Sequence, residues 1–143
     1  MRLIIFTLIA IFFVQSAKAQ KTPDEVADSF FTYFKTKGVE RSLEYVFATN
    51  KYLKQNPEIV TNLKAKFDKA LPIIGNFYRY EKYMHKEVNN TLVHMGYLMV
   101  FDRQPIKIVF TLYFATDHWQ IQDLRFDDKI DDVIKELPNT IKQ

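Results

Sequence analysis

MHKEVNNTLVHM, residues 84–95, decides how the second half of this chain is read. Asn89-Asn90 separates two stretches in which apolar and polar residues alternate, and asparagine tolerates the positive φ that tight hairpin turns demand. With a two-residue turn placed there, Val88 faces Thr91, Lys86 faces Val93, Met84 faces Met95 and Tyr80 faces Met99. The same register sets His85 directly opposite His94. A second turn at Arg103-Gln104 pairs Met99 with Ile108, Tyr97 with Phe110 and Met95 with Leu112. A third at Thr116-Asp117 pairs Phe114 with Trp119 and Leu112 with Ile121. The three registers agree: one face of a four-stranded meander collects Tyr80, Met84, Val93, Met95, Tyr97, Met99, Ile108, Phe110, Leu112, Phe114, Trp119 and Ile121. A slip of one residue in any hairpin would carry its share of that set to the other side.

Ahead of the meander the apolar period is helical. Thr22-Pro23-Asp24-Glu25 has the form of a capping box with proline at the first helical position. Val26, Phe30, Phe31 and Phe34 follow at helical spacing, and Gly38 is a stop signal. Arg41–Phe47 reads as a short second helix. A longer one starts at Asn56-Pro57-Glu58, carries Ile59, Leu63, Phe67, Ala70, Leu71 and Ile74 as one stripe, and closes at Gly75. An apolar sheet face must be covered, and these helices are the cover. The expected class is α+β, with helices first and an antiparallel sheet curled over them.

The opening residues, MRLIIFTLIAIFFVQSAKAQ, have the layout of a secretory signal peptide. Arg2 precedes the apolar run Leu3–Val14, and Ala17-Lys18-Ala19 is a small-x-small cleavage site. The run is too short for a bilayer span of about 20 residues. The reading is therefore export to the periplasm or beyond, cleavage after Ala19, no stable membrane insertion afterwards, and one domain over residues 20–143. Without Arg2 and Lys18, the 20 Lys+Arg become 18 against 17 Asp+Glu, so the mature charge falls to about +1 and gives no reason to expect nucleic acid. No cysteine is present, so stability must come from packing rather than disulfides. The 3 glycines and absent cysteine also remove phosphate-binding glycine loops and thiol nucleophiles from consideration.

The first helix TPDEVADSFFTYF, the long helix closed by Gly75, and the last strand in HWQIQDLRFDD together carry a resemblance. They resemble small exported bacterial domains of unknown function in the nuclear-transport-factor-like superfamily, whose fold is the cystatin-like cone. That superfamily also includes ketosteroid isomerase and scytalone dehydratase. The resemblance covers most of residues 22–128 and implies a ligand pocket between the curled sheet and the first helices, since function in such folds lies in the site rather than the scaffold. Phe30, Phe34, Tyr80, Lys82, Tyr97, Met99, Phe110 and Trp119 are then expected to line it.

Three functions follow from different classes. A non-catalytic pocket domain would bind a small apolar molecule or a peptide. A lyase or isomerase of the ketosteroid isomerase or scytalone dehydratase kind would need a pocket carboxylate and an oxyanion donor, with Asp123 as base and Tyr97 as donor. An interaction module would use the outer sheet face as a homodimer contact, through Leu98, Val100 and Val109. The pocket reading leads, because the lining is aromatic and methionine-rich while acid–base groups are few. Asp123 is itself in question, because the apolar period shifts between Ile121 and Leu124, and a bulge at Gln122-Asp123 would turn it outward. His85 and His94 with Glu87 offer fewer ligands than a closed zinc site takes, so no metal and no cofactor is expected. The tail residues Ile130, Val133, Ile134 and Leu137 form a stripe that could cover the outer face instead of a second copy.

Overall fold

The computed structural model describes residues 21–137; the signal-peptide reading of residues 1–19 lies outside them. Helix α1 (Pro23–Ala48) begins at the capping box expected of it. The Glu25 N–H donates to Thr22 Oγ1 at 3.2 Å and the Thr22 N–H to Glu25 Oε2 at 2.7 Å, which satisfies two end donors reciprocally. Gly38 breaks the helical dihedrals at φ +84°. The two helices expected on either side of it therefore meet at a kink within this range, burying Phe30, Phe31 and Phe34 before it and Leu43, Val46 and Phe47 after it. A four-residue turn, α2 (Lys51–Lys54), was not anticipated; Asn50 caps it by accepting from the Tyr52 and Leu53 N–H groups. Helix α3 (Pro57–Ile74) ends at Gly75 as expected and buries Phe67 and Ile74.

Strands β1 (Phe77–Val88), β2 (Leu92–Phe101), β3 (Ile106–Phe114) and β4 (Trp119–Asp127) form one antiparallel sheet in chain order, followed by the short helix α4 (Ile130–Glu136). The fold is α+β, with an open, curled sheet over the helices. Its core is aromatic: Phe31 stacks on Tyr80 at 3.9 Å, Phe67 on Phe126 at 3.8 Å, and Phe30 meets Phe110 edge-on at 5.2 Å. Such pairs contribute about 0.5–1.5 kcal/mol each beyond their burial.

The expected registers need correction in the first two hairpins. Near the open end of β1, Tyr80 faces Met99 and Lys82 faces Tyr97 as expected, but Tyr83 is an extra residue. Beyond that bulge Met84 faces Gly96, His85 faces Met95 and Lys86 faces His94. Met84 therefore turns to the outer face, while His85 and Glu87 turn to the inner one. The bulge is matched at the hairpin tip, where Asn89 and Asn90 take φ +46° and +53° and Thr91 is one residue more than the pairing uses. The β2–β3 turn is centred one residue earlier than expected, between Asp102 and Arg103, so Met99 faces Ile106 and Tyr97 faces Ile108. A slip of two preserves the faces, and the buried set stands. The cause is Asp102, drawn away to hold Asn76: its Oδ1 accepts from the Asn76 N–H at 3.0 Å and its Oδ2 from Asn76 Nδ2 at 3.1 Å. The third hairpin pairs as expected, and β4 bulges at Gln122, as the broken apolar period suggests, sending Leu124 into the core and Asp123 opposite Thr111 on the outer face.

Candidate functional site

Most of the expected pocket lining is packed solid. Phe30, Met99 and Phe110 are fully buried and Phe34 and Tyr97 nearly so, each within the single core cluster. The remaining three, Tyr80, Lys82 and Trp119, lie at the rim, where α1 begins.

There the start of α1 crosses the inner face of the sheet. Lys82 points inward from β1 and donates to Asp24 Oδ1 at 2.7 Å. The same oxygen accepts from the Tyr97 hydroxyl at 3.2 Å, and one helical turn on, Asp28 Oδ1 accepts from the Tyr80 hydroxyl at 2.8 Å. Lys82 is exposed at this rim, and its ion pair with Asp24 ties β1 to the start of α1. Partial burial pushes the Asp24 carboxyl up, but the hydrogen bond and charge of Lys82, with the Tyr97 hydroxyl, outweigh this and hold it below 3.8. Burial, then the negative charge of Asp24, pushes the Tyr97 hydroxyl well above its ordinary range. Burial and Asp28 push Tyr80 up to about 12.

Beside this cluster a cleft of about 350 Å³ opens, lined by Pro23, Asp24, His85, Glu87, Asn90, Val93, Phe114 and Trp119. Val93 and the edge-to-face pair Phe114–Trp119, 5.3 Å between centroids, supply apolar surface. Asp24, His85 and Glu87 supply the polar groups. The Tyr83 bulge is what brings His85 and Glu87 here, with His85 Nε2 3.4 Å from Glu87 Oε2. Beyond Trp119, β4 is fixed to the end of α1. Asn50 Nδ2 donates to the Ile121 carbonyl at 2.7 Å, and the Ile121 N–H donates to Thr49 Oγ1 at 2.9 Å.

The other sequence-derived groupings come apart. His94 lies on the outer face with Nδ1 2.8 Å from Thr111 Oγ1, so the two imidazoles occupy opposite sides of the sheet. Among the described residues no group of three or more His, Asp or Glu is placed to hold a metal ion. Asp123 pairs with Arg125 on the outer face and does not meet Tyr97. Asp24 and Asp28 escaped the reading of the sequence, although an inward Lys82 without a carboxylate on the sheet was a signal for an acidic partner on α1. No family model, curated protein or solved structure matches this chain.

Proposed function

We propose that this chain is an exported, non-catalytic binding domain of the nuclear-transport-factor-like kind, taking a small apolar molecule or a peptide side chain in the cleft at the start of α1. The observation that carries the reading is the cleft itself: apolar surface from Val93, Phe114 and Trp119 beneath convergent polar groups of Asp24, His85 and Glu87. Its volume of about 350 Å³ falls in the range of small-molecule sites. The groups an isomerase would use are otherwise engaged. Asp24, held ionised by Lys82, is a weak base, and the Tyr97 hydroxyl is directed at Asp24 rather than at open space. An oxyanion needs a donor aimed at it.

The chain has one tryptophan, and it lies in the cleft, so its emission reports on the site alone. Phenethyl alcohol, a neutral ring-bearing probe, should change that emission saturably. Glu87→Phe, which fills the cleft from its rim, should abolish the saturable part. A response that is linear in probe and identical in both proteins would remove the reading.

A further inference from the structure

We propose that the ligand of this cleft carries an ammonium group on an aromatic or branched aliphatic body. The inference rests on the reading of the cleft as a binding site and adds the charge of what enters it. Two carboxylates, Asp24 and Glu87, line the cleft, and no lysine or arginine does. Lys82 of the neighbouring cluster is engaged by Asp24: its Nζ and the Tyr97 hydroxyl both meet Asp24 Oδ1. Glu87 has a single, long side-chain contact among the described residues, 3.4 Å to His85, so a better donor can replace it. A cation at this rim gains charge-assisted hydrogen bonds, which are about twice as strong as neutral ones. The aromatic surface works in the same direction, since the face of a tryptophan attracts an ammonium within about 6 Å. An anion would meet repulsion at the rim and gain nothing from the rings. The cation is organic rather than a metal ion, because His85, Glu87 and Asp24 are not placed as a metal-binding group.

Trp119 emission separates the possibilities with three probes of one shape: phenethylamine, phenethyl alcohol and 3-phenylpropionate, at neutral pH and fixed ionic strength. The amine should bind about 10-fold more tightly than the alcohol, which corresponds to about 1.4 kcal/mol, and the acid more weakly than either. Glu87→Gln should lower the affinity of the amine by more than that of the alcohol and so close most of the gap between them. Glu87 is exposed, so the variant should unfold at the wild-type midpoint, which circular dichroism checks. Equal binding of the three probes overturns the charge assignment and leaves the cleft as a neutral site. Saturation by none of them overturns the cleft reading and the charge assignment together.

Discussion

Gly75 is held at φ +91°, ψ −147°, and Gly38 at φ +84°, ψ +176°, a region of backbone space that side chains beyond glycine rarely enter. The two positions differ in what surrounds them. A Cβ at Gly75 would lie 1.5 Å from Asp102 Oδ1, whereas nothing lies within 4 Å of one at Gly38. Gly38→Ala should therefore cost the backbone strain alone, about 1–3 kcal/mol. Gly75→Ala should cost more, because it also expels the carboxylate that holds Asn76; urea midpoints of the two variants check the order. His118 makes a second residue-scale prediction. Its Nδ1 lies 2.6 Å from Asp117 Oδ1 and its Nε2 3.0 Å from the Thr49 carbonyl. Both partners are acceptors, and a neutral imidazole has one N–H, so only the imidazolium serves both. The bond to Asp117 and then that to Thr49 raise His118 above 6.5. The stability it contributes is complete below that unfolded value and is lost as pH rises through the folded one. The wild type should exceed His118→Ala in stability by more at about pH 5.5 than at about pH 8.5, and by no more than about 1 kcal/mol, because the pair is exposed. An NMR titration placing His118 below 6.5 would contradict this.

At the scale of elements, single-residue bulges decide which side chains meet. Tyr83 on β1 lies with its ring over Gly96, where an added Cβ would come within 2.5 Å of Cζ. An aromatic covering a bare strand position is a stabilising device, and here the extra residue also turns His85 and Glu87 toward the cleft. The outer face left behind is where α4 returns. Lys107, only 12% exposed, is 3.4 Å from Asp132 on α4 and 3.7 Å from Asp127 at the end of β4. Val133 is buried at 4%, outside the main core cluster. Burial, with Glu136 of α4 next, pushes the Tyr83 hydroxyl up to about 12. The tail thus occupies part of the face proposed for a second copy, which would have to displace or extend it. Leu98, opposite Lys107, tests which holds. With α4 as the cover, the wild type should scatter light as a monomer, and Leu98→Asp should lower its unfolding midpoint by placing a carboxylate at a partly buried apolar position beside it. A wild-type dimer that Leu98→Asp splits into folded monomers would give the face to the second copy.

On the scale of the whole molecule, the export reading makes a mass prediction: protein from its native cell should begin at Gln20 or a neighbour, and intact Met1 would refute cleavage. No helix among the described residues is long and apolar enough to cross a membrane. The interior also sets where ligands can go. With Phe30, Phe31, Tyr97 and Phe110 packed on one another, the space between the sheet and the helices is closed at its centre, and open volume lies at the ends and flanks of the helices.

Periodicity and end signals were sufficient for the elements themselves. The Thr22 capping box, the Gly38 and Gly75 breaks, the Asn89-Asn90 turn and the inward row from Val93 to Ile121 depend on local propensity and alternation, which the chain states directly. The bulge at Gln122 was legible for the same reason, as a broken period between Ile121 and Leu124. Three things depended on contacts distant in sequence. The placing of the β2–β3 turn follows from Asp102 binding Asn76, 26 positions away. The site follows from Asp24 meeting Lys82, 58 positions away, a pairing that neither local sequence marks. The placing of His85 and Glu87 follows from an extra residue at Tyr83, where alternation alone is blind because both registers give a plausible strand and both set Tyr83 beside Gly96. Local sequence set the elements and their faces; packing between elements decided which polar groups converge.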